Sequence, residues 1–392
     1  MVGLRPTVGQ PLQRPETDAE TQMAEELPPP GDEDVDDLDE AAEILPAAFA
    51  ITSYGADYPV DGLVQRLEQG DIVIPLFSQD PTEGQTTVGF QREFVWKKSQ
   101  ADRFVESLLL GLPVPSIFLV KEPNGKFLVL DGQQRLRTLQ NFYAGVFQGV
   151  AFKLLDVQEP WVGKTYKTLH PDDRRRLDNS ILHAIIVRQD EPTEDQSSIY
   201  LIFERLNSGG TILQPQEIRV ALYHGQFAGL LSRLNTNDDW RSLYGRKNSR
   251  LKDIELILRF FALYFHAGSY ARPMKAFLNR YMAANRALGK QSESQLRTLF
   301  EATVGAVRSG IGYKAFRPFG GAINAAVLDS VMYGVATRLS HGPIAEPTKL
   351  RPAYDQLLKN TAYYNGVTRS TADEESVRAR LDAATKAFAV VE

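Results

Sequence analysis

The sequence predicts an α+β protein: a small mixed β-sheet with helices over residues 54–190, then an α-helical domain over 191–392. Three observations predict it. In "SIFLVKEPNGKFLVLDG" two apolar runs flank Asn124-Gly125, the strongest short-range signal for a β-hairpin. From Trp240 onward the apolar spacing is helical throughout, with "DIELILRFFALYF" the most apolar segment. Ahead of both, "PPPGDEDVDDLDEAAE" is proline followed by acid, so residues 1–47 are expected to be a disordered acidic tail, a solubilising arm or an autoinhibitory strip.

Order is expected from near Tyr54. "VDGLVQRLEQGDIVIPLF" reads as a short helix from Gly62, a stop at Gly70 and a strand over Ile72–Leu76. "SQADRFVESLLLGLP" is a helix with Ser99 as its cap and Phe104, Leu108 and Leu109 on one face. After the hairpin, Asp131-Gly132 turns the second strand into a helix of about Gln133–Tyr143, closed by Gly145. A strand near Phe152–Leu155 follows, then a short helix with Pro171 near its first position and a buried strand in "ILHAIIVRQD". Thr193 and Gln196 stand at capping-box spacing before a helix running to about Leu206, and "PQEIRVALYHG" is the next helix.

Composition excludes several functions. With no cysteine there are no disulfides, thiolate metal sites or cysteine nucleophiles, and five scattered histidines argue against a histidine-rich metal centre. No run of about 18 apolar residues is present, and the N-terminus lacks the basic-then-apolar pattern of a signal peptide, so a cytoplasmic protein is expected. The net charge of −5 hides an asymmetry: residues 1–50 hold 13 acidic and 2 basic residues (net −11), leaving 36 acidic and 42 basic (net +6) for the body. The body is mildly basic and suits an anionic ligand.

The stretch "LVLDGQQRLRTLQ", residues 128–140, carries the chemistry. A strand that feeds a helix through Asp131-Gly132 leaves helix-start N–H groups unpaired, and these form an anion site with the positive end of the helix dipole. Arg135 adds a charge-assisted contact, Gln133 and Gln134 offer donors and acceptors, and Gly132 removes the side chain that would block close approach. On this reading Arg135 is a surface arginine whose loss costs little folding energy; the alternative is a packed helix capped by Asp131 with solvated glutamines. Two further clusters stand out: Gln91 and Arg92 beside aromatics in "GFQREFVWKKSQ", and Arg205, Asn207 and Gly209-Gly210 in "FERLNSGGTILQPQEIR". A surface turn and a helix–helix connection explain them equally well. "RRR" at 174–176 reads as a solvated helix face, and Gly163-Lys164-Thr165 is no phosphate loop, since position 158 is Gln where that loop needs glycine.

The motifs "IPLF…FQREFVWK", "ESLLLGLPVPSIFL", "LVLDGQQRLRTL" and "IFERLNSGGTILQPQEIR" occur in that order over about residues 60–225. In this the chain resembles the family supplying the N-terminal module of GmrSD-type modification-dependent restriction enzymes, placed in the ParB/sulfiredoxin-like superfamily. The resemblance implies a ParB/sulfiredoxin-like sheet domain with a nucleotide site in which the Asp-Gly-Gln-Gln-Arg box is essential. Carried over, Asp131, Gln134 and Arg135 would be catalytic, while Gln91, Arg92, Gly132, Gln133, Asn207 and Gly210 would bind nucleotide. Mg²⁺ is expected with an NTP. Larger relatives carry a histidine–asparagine–histidine nuclease domain, but His224, His266 and His341 sit in helical surroundings without that pattern. The expected function is a nucleotide-binding, NTP-hydrolysing sensor in prokaryotic anti-phage or restriction-type defence, working with a separate effector nuclease or modification enzyme. The alternative is a DNA-binding or DNA-nicking protein that uses the same box on backbone phosphate.

Overall fold

The computed structural model describes residues 35–36, 51–75, 96–189, 197–206 and 213–392. Two strands, β1 (Val35–Asp36) and β2 (Ile51–Pro59), precede α1 (Val60–Gln69). α1 buries Val60, Leu63, Val64 and Leu67, the stripe that places every third or fourth residue on one side of a helix. After β3 (Ile72–Val73), α2 (Lys98–Leu109) buries Ala101, Phe104, Val105, Leu108 and Leu109. Its start corrects the cap expected at Ser99: the Lys97 N–H donates to Gln100 Oε1 at 2.9 Å, so Ser99 lies inside the first turn.

The hairpin is as expected. β4 (Ile117–Lys121) and β5 (Phe127–Asp131) pair antiparallel, and the turn closes through Glu122 N–H to Lys126 O at 2.8 Å and Gly125 N–H to Glu122 O at 2.9 Å. α3 (Gln133–Ala144) follows, then a two-residue ladder of β6 (Val146–Phe147) and β7 (Val150–Ala151). This displaces the strand expected over Phe152–Leu155. The Phe152 and Leu154 N–H groups donate to Gly145 O at 2.9 Å and Lys164 O at 2.8 Å, so the apolar alternation there reflects packing into the core and not pairing. α4 (Pro171–Asp178) leads into β8 (Ile181–Gln189).

The strands assemble in the order β2-β8-β4-β5-β3, with β2–β8 and β4–β5 antiparallel and β8–β4 and β5–β3 parallel. β2 has no counterpart in the sequence reading, because its side chains are largely exposed on both faces and leave no alternating pattern. The sheet is a wall between two cores. Ile117, Leu119, Val129, Leu182, Ala184 and Ile186 pack with α1–α4 on one side. Val120, Leu128 and Leu130 pack on the other with Ile199, Tyr200 and Phe203 of α5 (Ser197–Leu206) and the helices beyond it.

Those helices are α6 (Pro215–Leu222), α7 (Gln226–Leu234), α8 (Asp238–Tyr244), α9 (Lys252–His266), α10 (Met274–Asn285) and α11 (Glu293–Gly310). After β9 (Ile323–Asn324) come α12 (Ala325–Leu339), α13 (Leu350–Lys359), α14 (Thr361–Thr368) and α15 (Glu374–Ala389). Buried ions fasten them. Asp329 of α12, fully buried, accepts from Arg259 Nη2 of α9 at 2.6 Å and from Arg380 Nη2 of α15 at 3.1 Å. Arg219 of α6 donates to Glu255 Oε2 at 2.7 Å, and Lys252 Nζ reaches Oε1 at 2.6 Å. Burial alone would raise the Glu255 carboxyl, but the Lys252 and Arg219 cations bring it down to about 2.

β9 pairs in parallel with β1, Val35 opposite Ile323 and Asp36 opposite Asn324. Val35 and Asp36 belong to the tail expected over residues 1–47; the rest of it lies outside the described residues. A ladder needs only backbone donors and acceptors, so a composition argument built on side-chain burial does not register it. Among the described residues no helix is long and apolar enough to cross a membrane.

Candidate functional site

The box sits where β5 ends and α3 begins. Phe118 pairs with Asp131 but Leu119 pairs with Val129, so Leu130 is the extra residue of a bulge immediately before the box. A bulge bends its strand and re-aims the residues next to it. Gly132 then takes φ 94° and ψ 10° as the residue before the first turn of α3. A Cβ there would lie 2.5 Å from Ile117 Cγ2, so glycine is required twice over: by the backbone conformation and by the closeness of β4.

No side chain caps α3. The alternative of Asp131 as cap is thereby corrected, because its carboxylate points elsewhere. Asp131 Oδ2 accepts from Arg135 Nη2 at 2.7 Å, and the same Nη2 donates to the Ser116 carbonyl at 3.1 Å. The Arg135 side chain is only 14% exposed and its Nε is buried without a partner, whereas Asp131 is about half exposed (48%). Arg135 is therefore no surface residue. It braces the turn against the residue before β4 and leaves the Asp131 carboxylate half exposed. The first-turn N–H groups of α3, uncapped by any side chain, carry the positive end of the helix dipole at the same place.

Gln134 Oε1 accepts from the Trp96 N–H at 3.4 Å, and Trp96 packs edge-on against Phe104 with ring centroids 5.6 Å apart. The chain arriving from the Gln91-Arg92 motif is thus tied to the box at Trp96. Gln133, half-buried, keeps its amide free of hydrogen bonds to described residues. Gln91, Arg92, Asn207 and Gly210 lie outside the described residues. The end of the later motif is architecture: Gln214 N–H donates to Glu217 Oε2 at 2.6 Å, and the Arg219 guanidinium is buried against Asn279, Gln216 and Glu255. Sequence reasoning missed the Ser116 carbonyl and Ile117, for which no residue-type signal exists, since a backbone oxygen and a methyl do the work.

The hairpin's other end is also fastened. Glu122 Oε1 accepts from Arg286 Nη2 at 3.1 Å, and Arg286 Nε donates to the His224 carbonyl at 2.7 Å. Burial and the neighbouring Arg286 hold the His224 imidazole below its ordinary range, with Glu122 pulling the other way. The basic run at 174–176 is a solvated helix face, as expected, with Arg175 and Arg176 exposed and Arg174 half-buried. Arg174 donates to Lys167 O at 2.9 Å, Arg176 donates to Leu109 O at 3.2 Å, and Arg175 pairs with Asp172. Among the described residues no group of three or more His, Asp or Glu is placed to hold a metal. The half-exposed Asp131 carboxylate suits a single Mg²⁺ contact, because Mg²⁺ commonly takes one or two carboxylates and fills its shell with water and phosphate oxygen.

Residues 79–224 match the family model described as GmrSD restriction endonuclease, N-terminal domain. The match contains the bulge, the glycine turn and the whole of α3. No curated protein matches the chain.

Proposed function

We propose that the chain, whose residues 79–224 match the GmrSD N-terminal domain model, is a restriction-type, defence-related protein that binds and hydrolyses a nucleoside triphosphate as the sensing partner of a separate effector. The observation that carries this reading is the turn at Gly132. A bulge, a left-handed glycine and a close strand combine to present an uncapped helix start, with a carboxylate and two glutamines around it. Phosphoryl transfer asks mainly for positioning and charge neutralisation, and this arrangement supplies the first and part of the second. Asp131 would hold Mg²⁺, which when bound neutralises phosphate charge. Gln133 and the Gln134 amide nitrogen orient water or the base. Arg135, through Asp131 and Ser116, keeps the turn in register.

The DNA-backbone reading draws less support. The densest basic run is spent on carbonyls and on Asp172, whereas phosphate-tracking surfaces need free lysine and arginine. The test is phosphate release from each NTP with Mg²⁺, with and without DNA, alongside calorimetric titration of the same nucleotides. Release that Asp131→Asn abolishes supports the proposal. A protein that neither binds nor hydrolyses any NTP overturns it.

A further inference from the structure

The box ends on Arg135 and a second arginine, Arg137, follows two residues later; the structure uses them differently. Residues two apart on an α-helix are separated by about 200° around its axis. Arg135 therefore lies on the sheet side of α3, where Ser116 and Asp131 occupy its Nη2. Arg137 projects from the other side. One turn earlier on that side stand Gln133 at i−4 and Gln134 at i−3, and residues so spaced are neighbours on a helix surface. Gln134 is the residue that holds the Trp96 N–H, so Arg137 flanks the place where the chain arrives from the Gln91-Arg92 motif.

Arg137 is also electrostatically unfinished. Burial lowers its guanidinium from the ordinary arginine value, and among the described residues no carboxylate acts to restore it. Other half-buried or buried arginines show what a finished site looks like. Arg241 has Asp253 at 3.0 Å and Arg380 has Asp329 at 3.1 Å. Among the described residues Arg137 has neither an ion pair nor a hydrogen bond. A cation that gives up water without gaining an acceptor is costly, and the cost is relieved when an anion arrives.

We infer that Arg137, two residues beyond the box, meets a phosphate oxygen of the ligand, with Arg135 a positioning residue. The inference rests on the reading of the box as a nucleotide site. A phosphate beside Arg137 would lie along the Gln133 face of α3, so the ligand reaches from the helix start past its first turn.

The test titrates the full chain with the NTPs in Mg²⁺ and with inorganic tripolyphosphate as a probe without a base. Arg137→Gln keeps hydrogen-bonding capacity and removes the charge; Arg137→Lys keeps the charge. Arg137→Gln should weaken binding of both ligand types by about 10- to 150-fold, the loss expected for one charge-assisted contact. Arg137→Lys should retain most of the affinity, and the melting temperature of Arg137→Gln should be equal to the parent's or higher. If the parent binds and Arg137→Gln binds equally well, Arg137 faces only solvent, and this inference fails while the nucleotide reading stands. A fall in melting temperature of several degrees with binding intact makes Arg137 structural and also overturns it. A parent that binds neither NTP nor tripolyphosphate removes both readings.

Discussion

Replacing Gly132 by alanine tests the geometry on which the site depends. The added Cβ would stand 2.5 Å from Ile117 Cγ2 and 3.1 Å from Ile117 Cβ, against about 3.5–4.0 Å for an ordinary carbon contact. Closing that gap requires β4 or the start of α3 to yield by about 1 Å, and overpacking of this kind costs about 1–3 kcal/mol. Holding alanine at φ 94° adds about 1–2 kcal/mol, and the stiffer unfolded chain returns about 0.4–1 kcal/mol. The net expectation is about 2–4 kcal/mol of lost stability. Gly125 supplies the control: it sits at φ 85°, and a Cβ there would meet nothing within 4 Å, so Gly125→Ala should cost only the conformational part, about 1 kcal/mol. Urea unfolding at unchanged m-value reads both. Ile117→Ala in the Gly132→Ala background should show less than additive loss, because it removes the methyl that clashes. If Gly132→Ala costs no more than Gly125→Ala, the strand is not pressed against the turn, and the account of how the box is aimed is wrong.

Two further expectations come from the buried ions. Asp329→Ala leaves Arg259 and Arg380 buried without their common carboxylate and should cost about 3–5 kcal/mol in urea unfolding; a loss under about 1 kcal/mol would mean that the helices relax enough to let water in. Glu255, at about 2 in the folded chain against an ordinary 4.5, contributes stability that is present above about pH 4.5 and is lost as pH falls from there towards 2. Unfolding of the parent and of Glu255→Gln between pH 6 and pH 3 checks this. The parent's stability should fall more steeply, and parallel curves would exclude the ion pair as a source of acid lability.

Much of the local architecture was legible in the sequence, because it is written in signals that act over a few residues. Asn124-Gly125 gave the hairpin, and the apolar spacing after Gln133 gave α3 to within one residue at its end. Elements whose reasons are not local were not legible. β2 is held by β8 through backbone bonds and shows no alternation, and β1 pairs with residues almost three hundred positions away. At the site the sequence marks which residues are chemically apt but not which way they face. Arg135 and Arg137 are equal as letters, and only the Ser116 carbonyl and the Asp131 carboxylate separate a brace from a free cation.

The sheet that carries the box is one strand-layer thick and serves as floor to one core and ceiling to the other. Leu128 and Leu130 look towards the helices beyond residue 197, while Val129 between them looks towards α1–α4. A gene exchange that moved only the stretch from 79 to 224 would carry α5 and α6 with the box but leave behind β2, α1 and β3, and it would strip α5 and α6 of α9 and α10, which pack on them. α9 and α10 thus bear on the box through α5 and α6, the cover of its sheet. Sequence can drift freely in α5 only so far as the face it turns to Val120, Leu128 and Leu130 stays closed to water.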